Sequence, residues 1–157
     1  MTELRAPAQW VVTALRETDW PVWQQLYRGY GDFYEVEMPL PKLELVWSWL
    51  HDPAHSASGL AVRPAADAEP VGLAHYRPFA RPLHGTVGCY LDDLFVSPES
   101  RGTGAVDALL ARLASLATEN GWDVVRWITR AGNARARSTY DRLATQTDLI
   151  TYDLPPS

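Results

Sequence analysis

The stretch from Thr86 to Gly121 constrains the fold more than any other part of the chain. It opens with TVGCYLDDLFV (86–96), apolar on both alternating faces apart from Asp92 and Asp93, as in a strand covered on both sides. Ser97-Pro98 ends the run and a short loop, SRGTG, follows. Val106, Leu109, Leu110, Leu113, Leu116 and Ala117 then recur at helical spacing until Asn120-Gly121 closes the helix. A strand that feeds a helix in this way presents unpaired backbone N–H groups at the positive end of the helix dipole. The junction is therefore suited to an anion.

The surrounding pattern extends this unit in both directions. WVVTALRE (10–17) reads as a strand and Thr18-Asp19 as a helix N-cap. Trp20, Trp23, Leu26, Tyr27 and Tyr30 then give a helix over 20–30, and Leu43, Val46, Trp47 and Leu50 a second over 41–50. GLAVRP and PVGLAHYRPF are strands separated by the polar turn AADAE. Past the central helix, 123–129 reads as a strand, 133–144 as a helix and 148–154 as a last strand. The order β-α-α-β-β-β-α-β-α-β predicts an α/β fold in a single domain spanning 1–157, with a mixed central sheet flanked by about four helices.

Charge and composition narrow the function. Residues 1–96 hold 7 Lys+Arg against 12 Asp+Glu, a balance of −5, whereas residues 97–157 hold 7 of each and balance to zero. That distribution suits a cationic partner and gives no basic footprint for nucleic acid. No apolar run is long enough for a membrane span. The opening MTELRAPAQW is polar, so no signal peptide is expected, and a cytoplasmic location is. Cys89 is the single cysteine, which excludes a disulfide framework or a cysteine metal site. His51 and His55 are separated by Pro53, which opposes the helix that would align them, and His75 and His84 are isolated, so no metal is expected.

Three kinds of phosphate loop can be compared with SRGTG. A Walker A loop needs glycine, lysine and serine or threonine in succession, but Lys42 is the one lysine and leucine follows it. The dinucleotide motif GxGxxG lacks its third glycine, because Asp107 stands there. The third pattern is R/Q-x-x-G-x-G/A after a strand, found here as Arg101-Gly102-Thr103-Gly104-Ala105-Val106. With the downstream segment VVRWITRAGNARARSTYDRLA, residues 92–144 resemble the core of the GNAT N-acetyltransferase superfamily. YLDDLFV and NARARSTYDRL look most like the branch of spermidine/spermine, small-amine and amino-acid acetyltransferases. The motif's final Gly/Ala is Val106 here, which keeps the N–H donor but adds a branched Cβ.

The resemblance implies acetyl-CoA as donor, a primary amine of a small molecule (polyamine, amino acid or similar) as acceptor, direct attack in a ternary complex, and a homodimer. It places Leu94, Phe95 and Val96 along the thioester arm, usually near a β-bulge. Arg101, Gly102, Thr103, Gly104, Ala105 and Val106 would lie against the pyrophosphate, and Asn133 would help bind the donor. Tyr140 matches the family's general acid and Asp92 the acid that binds or deprotonates the amine. Aspartate, one methylene shorter than the glutamate often found there, favours relay through water. Asp32, Tyr34 and Glu35, in the loop after the first helix, match the acceptor side.

In domain terms, 1–85 would carry the acceptor-side elements and 86–144 the acetyl-CoA core. Strand alternation alone puts Asp92 and Asp93 on opposite faces, so they are not expected to share a site. Other readings are a non-catalytic acyl-CoA-binding regulatory domain and a peptide or protein N-acetyltransferase.

Overall fold

The computed structural model describes residues 10–157, and the start of the opening polar stretch, residues 1–9, lies outside them. Two compact units are distinct, one running to Trp127 and the other spanning Ile128–Ser157. The first contains β1 (Val11–Ala14), α1 (Trp20–Phe33), α2 (Leu40–His51), β2 (Ser58–Arg63), β3 (Gly72–Arg81), β4 (Thr86–Val96), α3 (Ala105–Asn120) and β5 (Val125–Arg126). Its sheet runs in the order β1-β2-β3-β4-β5. Pairing is antiparallel as far as β4 and parallel between β4 and β5, the pair joined by the α3 crossover. This is the expected mixed α/β arrangement.

Side-chain alternation divides the core between the two faces of the sheet. Leu73 of β3 and Phe95 of β4 are register partners and pack with Trp23 and Leu26 of α1 and Leu43 of α2. The intervening residues face α3, whose buried stripe is Ala105, Leu109, Leu110, Leu113 and Ala117. Each fully buried leucine contributes about 1.5–3 kcal/mol of transfer free energy, so both faces are strongly anchored. A buried ion pair adds a polar tie. Arg63 Nη2 lies 2.7 Å from Asp19 Oδ2, joining the end of β2 to the turn that starts α1, and Thr13 Oγ1 and the Ala68 carbonyl accept its remaining N–H groups.

Two strand assignments differ from the pattern reading. β5 covers only Val125–Arg126 of the expected 123–129. Residues 148–154 form no strand, and Leu149, Ile150, Tyr152 and Leu154 are exposed. An apolar-polar alternation becomes a strand only where a neighbour accepts its ladder, and these segments find none among the described residues beyond the two β5 pairs. In the second unit, α4 (Ala134–Leu143) starts at Asn133, whose side chain accepts the Ala136 N–H at 3.4 Å.

Candidate active site

The centre of β4 breaks the ladder. Register partners run Leu73–Phe95, Ala74–Leu94 and His75–Asp93, then jump to Tyr76–Leu91, leaving Asp92 without a partner on β3. One extra residue in one strand is a β-bulge. It cancels one step of the alternation, so Asp92 and Asp93 both turn to the α1 side of the sheet. This corrects the expectation that the two acids face opposite ways. Asp93 meets His75 and Tyr27 there, and Asp92 meets Arg77, two residues beyond His75 on the same face of β3.

The two carboxylates have different surroundings. Asp93 Oδ2 accepts from Tyr27 Oη at 2.8 Å and from His75 Nδ1 at 2.8 Å. The indole N–H of Trp23 donates to His75 Nε2 at 3.0 Å. An indole offers only a donor, so Nε2 must accept and the imidazole proton sits on Nδ1, facing Asp93. Burial alone would raise the Asp93 carboxyl, but the hydrogen bonds from His75 and Tyr27 outweigh it and hold the group below the usual carboxylate range. The Tyr27 hydroxyl is pushed well up by burial and by Asp93, so it stays a donor. Asp93 is thus a satisfied anion with little basicity.

Asp92 is more open, with its side chain 36% exposed. Burial raises its carboxyl more than Arg77 lowers it, and Asp93 adds to the rise. Arg77 Nε lies 3.1 Å and 3.3 Å from the two Asp92 oxygens, and its guanidinium sits over the Tyr90 ring at 4.8 Å. A raised, accessible carboxylate can take a proton from a bound ammonium, which Asp93 cannot do as readily.

Downstream of the bulge, Leu94, Phe95 and Val96 pair with β3 alone, because β5 leaves β4 after Tyr90. Their other backbone edge has no strand partner among the described residues of the first unit. Gly102 (φ 73°) and Gly104 (φ 92°) are left-handed, and they turn the chain from Ser97 into α3. Gly104 at the N-cap makes no side-chain cap, and the N–H groups of Ala105 and Val106 precede the first intrahelical acceptor among the described residues. Arg101 folds back on its own strand: Nε donates to the Val96 carbonyl at 3.2 Å and the guanidinium lies over Phe95. Thr103 is held by its carbonyl, which accepts the Trp10 indole N–H at 2.9 Å. Val106 is half-buried and stands outside the fully covered stripe of α3.

The remaining expected residues are spread more widely. Asp32 lies in the last turn of α1, Tyr34 packs against Tyr30 and Phe33, and Glu35 adopts a left-handed φ of 56° in the turn to α2. Asp32 and Glu35 are exposed, with no bond to Asp92 or Asp93 among the described residues. Tyr140 lies on α4, in the second unit. His75, Arg77, Trp23 and Tyr27 did not emerge from the motif. The available signals were Trp23 and Tyr27 at i, i+4 on one helix and His75 and Arg77 two apart on one strand, which set each pair on one face.

Residues 22–144 match the Acetyltransferase (GNAT) family. The chain belongs to that family. It is an acetyltransferase, similar to the D-amino-acid N-acetyltransferase HPA3 of Saccharomyces cerevisiae at 28% identity over 142 residues, 90% of this chain and 88% of that protein. The fold is shared with a ribosomal-protein-alanine N-acetyltransferase from Brucella melitensis (TM-score 0.77, 22% identity, 93% of this chain and 98% of that one). It is also shared with AAC(6')-Iy, solved with the bisubstrate analogue CoA-S-monomethyl-acetylneamine (TM-score 0.79, 14% identity, 95% and 99% covered). The yeast and Brucella proteins are named for different acceptors, a D-amino acid and a ribosomal-protein alanine, so their names do not fix the acceptor here.

Proposed function

We propose that this acetyltransferase moves the acetyl group of acetyl-CoA onto a primary amine of a small molecule, by direct attack within a ternary complex. The observation that carries the reading is the bulge, which sets an accessible carboxylate, Asp92, beside a strand edge that β5 does not cover. Leu94, Phe95 and Val96 would pair with the thioester arm along that edge, as an added strand would. The pyrophosphate would lie on the backbone N–H groups of Gly102 to Val106. Arg101, bonded to Val96, would shape that loop more than it binds phosphate directly. Asn133 is assigned to donor binding, and Asp32, Tyr34 and Glu35 to the acceptor side, by their places in the family pattern.

The amine nitrogen bonds to the acetyl carbon and the carbon–sulfur bond breaks. The proton lost by the amine passes to Asp92, directly or through water, and the departing thiolate takes a proton. Tyr140 is assigned that last role from its place in the family's motif. The similarity to HPA3 supports a small-molecule acceptor. A covalent acetyl-cysteine route is disfavoured, since Cys89 is fully buried and burial pushes its thiol up to about 11.

The test is acceptor-dependent release of CoA thiol, measured across amines, amino acids, aminoglycosides and peptides. Initial-rate lines at several donor concentrations should intersect, and parallel lines would point to an acetyl-enzyme intermediate. Asp92→Asn should cut turnover on the order of 10²-fold, most severely at low pH, where the acceptor is most fully protonated. Tyr140→Phe should lower turnover to a similar order while leaving packing intact. Thermal stabilisation by acetyl-CoA with no thiol released by any acceptor would leave a binding domain instead of an enzyme.

A further inference from the structure

Arg77 stands out because it faces the reacting carboxylate with most of its hydrogen-bonding capacity unspent. Nε alone serves Asp92, and neither Nη group has a partner among the described residues. Its side chain is 39% exposed, close to the 36% of Asp92, so a solute can reach both ends of the pair. The Tyr90 ring lies against the guanidinium and restricts its plane. A guanidinium left free at its fork is matched in shape and charge to a carboxylate.

A lone surface ion pair would be of little consequence, because solvent screens it and ordering the side chains opposes it. This one is placed differently. It lies on the α1 side of the sheet at the bulge, where the amine must arrive if Asp92 receives its proton. A ligand bound there meets one negative and one positive group side by side. A polyamine would bring a second ammonium toward Arg77, a repulsive contact. A zwitterion, with ammonium and carboxylate on one carbon, would complement both charges. The buried neighbour, Asp93, is already occupied by Tyr27 and His75 and does not compete for the ammonium.

The geometry points to Arg77 as the residue that selects the acceptor by binding the carboxylate of an α-amino acid whose amine lies at Asp92. This inference rests on the acetyl-transfer reading above and specifies its acceptor class. It assigns to Arg77 a binding role alone, with the chemistry left to Asp92.

The experiment compares thiol release with D- and L-alanine, leucine, phenylalanine and lysine, each set against its amide and the corresponding decarboxylated amine. A carboxylate raises the pKa of the neighbouring amine, so on reactivity alone the amides would be faster. A kcat/KM higher for the acids than for the amides therefore reports recognition of the carboxylate. The expected acid-to-amide ratio exceeds 1, and Arg77→Gln should lower it on the order of 10- to 100-fold, chiefly through the KM of the acid. Arg77→Lys should restore part of it. Using the ratio cancels any general disturbance of Asp92, and a shift in melting temperature with acetyl-CoA verifies that the variants are folded.

Thiol release with a wild-type ratio at or below 1, or with spermidine preferred over every amino acid, would overturn the inference while leaving acetyl transfer in place. A ratio above 1 that Arg77→Gln leaves unchanged would show that the carboxylate is held elsewhere and equally overturn it. Failure of every acceptor to release thiol would instead remove the underlying reading.

Discussion

At Asp93 a carboxylate is held by a hydrogen-bond network that keeps its basicity low. Two donors converge on Oδ2, and one of them, His75, is itself set by the Trp23 indole. Asp93→Asn replaces part of this acceptor with an amide N–H that faces other donors. The loss should be about 2–3 kcal/mol of stability, the scale of hydrogen bonds to a charged group, read by denaturant unfolding. The sign of the pH effect follows from the lowered carboxyl. Because the group is more acidic folded than unfolded, it stabilises the protein above about pH 4, and that contribution is lost as pH falls through the folded value. Asp93→Asn should accordingly lose stability at neutral pH and depend less on pH in the acid range. An unchanged acid dependence would assign the acid sensitivity to other carboxylates, Asp19 among them. None of this was legible from the residue pattern. The two acids were read as opposed because alternation counts residues and cannot see an insertion, and His75 looked isolated because its partners lie 18 and 52 positions away.

At the scale of elements, the junction of β4, loop and α3 was the most legible part of the chain. An apolar run, a proline stop, paired glycines and a helical stripe all pointed to one arrangement, and β4 spans Thr86–Val96 as expected. The detail that escaped was the side chain of Arg101, whose motif position suggested phosphate but which folds back onto Val96. Two variants test the loop. Gly104→Ala imposes a Cβ at φ 92°, which should cost about 1–2 kcal/mol and weaken acetyl-CoA binding together with stability. Val106→Ala should instead tighten acetyl-CoA binding if the branched side chain crowds the pyrophosphate, without a helix penalty, since alanine is the better helix former. Calorimetric titration of both variants separates the effects, and an unchanged dissociation constant for Val106→Ala would show the valine already accommodated. β5 and the segment 148–154 were over-read for a common reason: hydrophobic alternation records what a strand could bury, not whether a neighbour is there to pair with it.

For the molecule as a whole, strand order and the change from antiparallel to parallel pairing followed from the succession of elements, because a helix between two strands demands a crossover. The Arg63–Asp19 tie, spanning 44 positions, did not. The bulge has a consequence for how this sheet tolerates change in chain length. Removing a residue from the middle of a strand ordinarily turns every later side chain inside out. Here β4 behaves as two correctly phased half-strands with Asp92 as a spacer, so deletion of Asp92 brings Leu91 and Asp93 into unbroken register with Tyr76 and His75. The shortened chain should fold with both faces of its core intact and melt near the parent temperature, yet transfer no acetyl group. Deletion of Leu94, two positions on, should fail to fold. In this strand, the residue that can be excised at least structural cost is the one proposed to receive the amine's proton.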